Sequence, residues 1–278
     1  MFIKVTMLPC SRTKMVLLEQ QLDQALMPAF TSDLVAGALD CLSQNNKLLE
    51  AQEDIGGARW VLQRIRKMLA GESFEVKQEL EALVKAADYL VKARVNHRMG
   101  LVGFNPGEPI LQESNRVRME AASLNYKKAA EAFAVYKSLV TKPEKRVVIW
   151  KGLSQLFPHW WVACFTLGAN FYIHGKRELT AAAEAENRPG NGYESRVVQG
   201  LDCLTAAIKW YHKAVQALDR AKALEFETDE GLRAALQPEI VGITKTAIIW
   251  AGKIGLAGKV TSLARRYAPE LYDRRGQA

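Results

Sequence analysis

The stretch Pro158-His-Trp-Trp-Val-Ala-Cys-Phe-Thr-Leu-Gly-Ala-Asn-Phe-Tyr-Ile-His-Gly175 lies within a run, Lys151 to Lys176, that has no Asp, Glu, Lys or Arg between its end lysines. A helix with apolar side chains on nearly every face is one surrounded by other helices. A turn rich in Gly, Pro and Asn at 187–192 separates it from Leu201, Leu204, Ala207, Ile208, Tyr211, Val215 and Leu218, which recur at helical spacing. The pair reads as a buried helical hairpin and predicts an all-α fold.

Working outward, the same logic extends in both directions. Upstream, Leu80, Leu83, Val84, Ala87, Leu90 and Val91 repeat at three and four residues in a helix capped by Ser73 and closed by Gly100. After a loop dense in turn formers, a long helix from Glu113 carries Ala122, Tyr126, Ala129, Phe133, Tyr136 and Val140 along one stripe. Pro143 marks a break, and a short helix over Val147 to Leu156 precedes the one that Pro158 opens. Nearer the N-terminus, a short extended piece (Phe2 to Met7) is followed by helices over 31–56 and 58–70. Downstream, Thr228 caps a further helix interrupted at Pro238. The whole predicts seven to nine helices in an irregular hairpin solenoid or bundle. The boundaries are an N-terminal extension (1–30), one helical domain (31–264) and a basic tail (265–278).

Composition narrows the class. A chain of 278 residues, 49% hydrophobic, buries a full core, which excludes a wholly disordered protein. A net charge of +8 and a pI near 9.3 favour acidic partners such as lipid headgroups, nucleic acid or acidic peptides, although such a charge is also ordinary for a protein with no anionic ligand. Cys10, Cys41, Cys164 and Cys203 stand far apart, as small buried residues of a reducing compartment do. The uncharged run is long enough to span a bilayer, but Pro158, His159, Asn170 and His174 make it a poor lipid-facing segment. Lys4, Arg12 and Lys14, with no acid before Glu19, weakly suit a targeting leader.

No catalytic pattern emerges. Gly252-Lys-Ile-Gly-Leu-Ala-Gly-Lys-Val-Thr261 lacks the Ser or Thr that a phosphate loop needs directly after Gly-Lys, so its glycines read as a close-packing helix face. His97, His159, His174 and His212 are scattered without metal-ligand spacing, and no nucleophile sits in an activating motif. The expectation is a non-enzymatic protein with no cofactor. Two basic features stand out: Lys142, Lys145, Arg146 and Lys151 around Pro143, and the C-terminal segment. In that segment Ile240, Ile243, Ala247, Trp250 and Ile254 form a core stripe, while Ile249, Leu256 and Val260 fall among lysines on the other side. The candidate site is therefore Lys245, Ile249, Lys253, Leu256, Lys259, Arg265 and Arg266, poised to meet an acidic membrane surface or a partner helix.

Glu120-Ala-Ala-Ser-Leu-Asn-Tyr-Lys-Lys-Ala-Ala-Glu-Ala-Phe-Ala-Val-Tyr-Lys-Ser-Leu139, with Ala86-Ala87 before it and Ala206-Ala207 and Tyr211 after it, resembles helices of BRO1 domains. The resemblance covers residues 74–224. It implies a cytoplasmic adaptor of endosomal sorting, peripheral at the endosomal membrane, that takes the C-terminal helix of a membrane-remodelling subunit. The strand-rich N-terminal portion and the closing signature of that family are missing here, and none of its binding residues maps onto this chain. The reading is thus a helical scaffold that binds partner proteins through a groove. A nucleic-acid-associated helical protein is a rival, less favoured because most of the aromatics sit at core spacing, and a subunit held in a larger assembly by the Trp160 region is another.

Overall fold

The computed structural model describes residues 74–105, 110–140, 143–186, 192–269 and 271. These form six helices and no strand: α1 (Phe74–Gly100), α2 (Glu113–Leu139), α3 (Pro143–Ala185), α4 (Tyr193–Ala223), α5 (Glu230–Lys253) and α6 (Ala257–Tyr267). The all-α class is therefore as the hydrophobic periodicity predicts. The extended piece at 2–7 and the helices at 31–56 and 58–70 lie outside the described residues. No helix among the described residues is long and apolar enough to cross a membrane.

The chain divides into two compact units, one containing residues 74–98 and 121–160, the other residues 99–120 and 161 onward. In the first, all six apolar residues of the α1 stripe are buried, and on α2 Tyr126, Phe133 and Tyr136 are wholly enclosed. Leu153, Leu156 and Phe157 of α3 complete this core. Gly152 leaves room for the Phe133 ring, since a Cβ there would stand 2.2 Å from a ring carbon.

In the second unit the α4 stripe from Leu201 to Leu218 is buried throughout. It packs closely against α3 where two glycines meet: a Cβ on Gly175 would stand 3.0 Å from the Gly200 carbonyl oxygen, and one on Gly200 would stand 3.2 Å from that of Gly175. Such backbone-to-backbone approach needs residues with no side chain on both helices. Asn170, 1% exposed, accepts a hydrogen bond from the Leu111 backbone N–H at 2.7 Å, which ties the segment before α2 to α3. A buried N–H needs such a partner.

Several expectations are corrected. The helix around Trp160 is not enclosed on every side: Ala163, Cys164 and Leu167 are buried, but Val162 and Phe165 are exposed. The aromatics cover one another instead, with Trp161 and Phe165 stacked at 5.1 Å and Phe165 tilted against Tyr211 at 5.5 Å. The two helices expected on either side of Pro158 are one, because Pro158 and the residue four before it, Ser154, both face solvent. The carbonyl that loses its N–H partner can be hydrated there, and a proline that would break a buried helix is tolerated. Pro238 and Ala234 repeat the arrangement in α5, which runs through uninterrupted. Its cap is Asp229, which accepts from Gly231 N at 2.7 Å, rather than Thr228. The glycines at 252, 255 and 258 are not a packing face, since a Cβ at any of them meets nothing within 4 Å. Gly255 adopts φ 71° and ends α5, the Leu256 N–H reaching back to Ala251 O at 2.8 Å in a left-handed helix termination.

These contacts set stability expectations. Phe133→Ala and Tyr211→Ala should each cost about 2–5 kcal/mol, and Gly152→Ala about 1–3 kcal/mol through overpacking against a ring with nowhere to go. Gly242→Ala, an exposed helix position with open space around it, should instead stabilise by up to about 1 kcal/mol. Urea unfolding of the four variants checks all of these, and Gly152→Ala and Gly242→Ala changing stability in the same direction would contradict the packing described.

Candidate functional site

The first unit carries an open groove of about 690 Å³ between α1 and α2. Its walls have the same spacing: Gln78, Glu81, Ala82, Lys85 and Tyr89 on α1, and Lys128, Glu131, Ala132, Val135 and Leu139 on α2. Offsets of three, four, seven and eleven select one face of a helix, and each wall extends over about three turns, roughly 16 Å. Ala82 and Ala132 are buried and keep the floor shallow, while Val135 and Leu139 stand 52% and 39% exposed. Glu81, Lys85, Lys128 and Glu131 form a rim of both signs, all exposed. Two ammonium groups lie near the Tyr89 ring, Lys92 Nζ at 5.7 Å and Lys128 Nζ at 5.6 Å from its centre. An apolar trough with a mixed-charge rim, three turns long, matches the footprint of an amphipathic helix.

The same unit buries a polar cluster that joins its three helices. His97 Nδ1 of α1 lies 3.0 Å from the Tyr126 hydroxyl of α2, and the His97 ring meets that of His159 of α3 edge-on at 5.8 Å. Beside them Trp160 Nε1 donates to Ser123 Oγ at 3.3 Å. His97 is 4% exposed. Burial, and then the guanidiniums of Arg94 and Arg98, hold both imidazoles down to a pKa of about 3, so both are neutral at pH 7. Burial pushes the Tyr126 hydroxyl up, and also lowers Arg94. Sequence spacing leaves these histidines as isolated residues; only the pairing of α1 with α3 brings them together.

The residues singled out at the C-terminus lie in the second unit and do not form one stripe. On α5, Lys245 is exposed and Ile249, at 62%, is the most exposed large apolar side chain among the described residues. Lys253 lies over the Trp250 ring at 4.4 Å and pairs with Glu186 at 3.3 Å. Leu256 is half-buried at the start of α6, Val260 is buried, and the Lys259 side chain lies outside the described residues. Arg265 and Arg266 are exposed near the end of α6, Arg266 over Tyr267 at 5.3 Å. The turn at Gly255 resets the helical phase, so a wheel drawn through both helices places Val260 on the wrong side. Of the basic residues around Pro143, Arg146 is exposed, and the side chains of Lys142, Lys145 and Lys151 lie outside the described residues. Neither Cys164 nor Cys203 is in a disulfide, and burial, then Glu178, raises the pKa of Cys203. Among the described residues no group of three or more His, Cys, Asp and Glu side chains converges on one point.

Comparison with protein-family models, with curated proteins and with solved structures finds no match to this chain.

The buried imidazole makes the fold acid-sensitive in a defined window. The unfolded chain protonates His97 below about pH 6.5, whereas the folded chain does so only near pH 3. Stability is therefore full above pH 6.5 and falls toward pH 3, by about 1.4 kcal/mol per pH unit from this group. Urea unfolding between pH 7 and pH 4 should show a shallower decline for His97→Gln than for the parent chain, and equal slopes would place His97 in contact with water.

Proposed function

We propose that this chain is a non-enzymatic helical scaffold that receives an amphipathic helix of a partner protein in the groove between α1 and α2. The observation that carries this reading is the pair of exposed apolar side chains, Val135 and Leu139, one turn apart in a trough whose charged rim can fix the register of an incoming helix. The likeness of residues 120–139 to BRO1-domain helices adds a class of partner, the C-terminal helix of a membrane-remodelling subunit in endosomal sorting. A photoreactive benzoylphenylalanine at Val135 should give a cross-linked adduct of one discrete mass in cells, weakened by Leu139→Asp in the same chain. The same probe at the exposed Glu184 should give none. No adduct from Val135, or equal adducts from both positions, would remove the groove as the binding surface.

A second reading is favoured by Ile249. An isoleucine this exposed beside Lys245 suits insertion at an acidic membrane surface, where each nearby lysine contributes on the order of 1 kcal/mol that salt screens away. Vesicles containing phosphatidylserine should sediment the parent chain at low salt and release it at high salt. The doubly substituted Lys245→Glu, Ile249→Asp chain should stay in the supernatant. Ile249→Ala should leave urea stability within about 0.5 kcal/mol of the parent, as a solvated position allows. A parent chain that never sediments would retire this second reading and leave the groove untouched.

A further inference from the structure

Opposite its buried stripe, α4 presents Asp202, Thr205, Lys209, Lys213 and Gln216 at helical spacing, and Arg266 and Tyr267 of α6 face them across a cleft of about 530 Å³. That size suits a small molecule. Its lining carries three cations, Lys209, Lys213 and Arg266, and the carboxylate of Asp202, with Asp219 close enough to act on His212. Two of the three cations rest on aromatic rings, Lys213 Nζ at 3.4 Å from the centre of Trp210 and Arg266 Cζ at 5.3 Å from that of Tyr267. A ring beneath a cation attracts it electrostatically and holds its side chain over one face.

We propose that this cleft binds the phosphate group of a small soluble molecule. A phosphate ester carries a charge of about −1.5 to −2 and three acceptor oxygens, which a guanidinium fork and two ammonium groups can answer together. Thr205 and Gln216 add neutral donors in the same wall. The rings are engaged by cations, so recognition rests on the phosphate rather than on stacking of a base. His212 reports on the same site. It packs edge-on against Tyr267 at 4.8 Å, and burial, then Arg266, holds its pKa below the usual value, with Asp219 opposing them. An oxyanion at Arg266 offsets that positive field, so binding raises the His212 pKa and takes up a proton.

Pyrophosphate is the probe. Titrated into the full-length chain at constant ionic strength, it should change tryptophan emission saturably as Lys213 leaves the Trp210 ring, and should bind with proton uptake when calorimetry is repeated in buffers of different ionisation enthalpy. Arg266→Ala and Lys209→Ala should each weaken binding by about tenfold or more, with Arg266→Lys intermediate. Both sites are exposed, so these variants should keep the parent's helicity. Trp210→Phe should abolish the emission change while calorimetric binding persists. Vesicles containing a phosphoinositide separate the two sources of the phosphate group: binding to vesicles with no response to pyrophosphate overturns the soluble ligand. No saturation by about 10 mM, or equal affinity in the parent and Arg266→Ala chains, overturns the site.

Discussion

The contact between Gly175 and Gly200 is the constraint on which the second unit depends. Two helix backbones meet there, with a carbonyl oxygen of each 3.0–3.2 Å from where the other's Cβ would be. Leu204 and Cys203 of α4 flank the same point, at 2.9 and 3.2 Å from where a Gly175 Cβ would stand, so helices that approach this closely have little freedom to rotate. The buried stripe of α4 is thereby fixed, and with it the direction of the stripe opposite, where Lys209 and Lys213 stand. The position of a charged surface thus follows from two residues with no side chain.

The first unit is arranged around a different economy. Its helices are joined by wholly buried aromatics and by a polar cluster in which two imidazoles stay neutral because they are enclosed near arginines. Burying polar groups lowers stability relative to an apolar core unless they are bonded, but it narrows the set of acceptable packings. His97 meets Tyr126 in one register of α1 against α2, and the same register aligns Gln78 to Tyr89 with Lys128 to Leu139 as matching walls. A one-turn slip would separate the imidazole from the hydroxyl and would also break the groove.

Much of the fold was readable from residue spacing, because α1, α2 and α4 each bury a stripe that repeats at three and four residues, and a stripe of that kind has no other stable use. What spacing could not reveal was which side of a proline faces water. Pro158 and Pro238 read as breaks, yet they lie on solvated faces where a lost hydrogen bond matters little. Nor could it show that Gly255 would take a left-handed conformation and reset the phase for Val260. The candidate surfaces were less legible still. Lys245, Ile249 and Arg266 were visible as basic and apolar residues on a wheel, but the α1–α2 groove and the partnership of His97 with His159 depend on which helices become neighbours. The cleft at Lys209 was missed because its residues look like the ordinary solvated face of an amphipathic helix until Arg266 is placed opposite.

The hydrogen bond from Leu111 to Asn170 has a consequence for the order of events during synthesis. The amide that needs an acceptor is made 59 residues before the side chain that supplies it. Until the middle of α3 has left the ribosome, the segment leading into α2 has to satisfy that amide with water, and it stays open to proteases and chaperones. Vectorial synthesis therefore favours the early apolar contacts of α1 with α2 and delays the second unit until α3 and α4 arrive together.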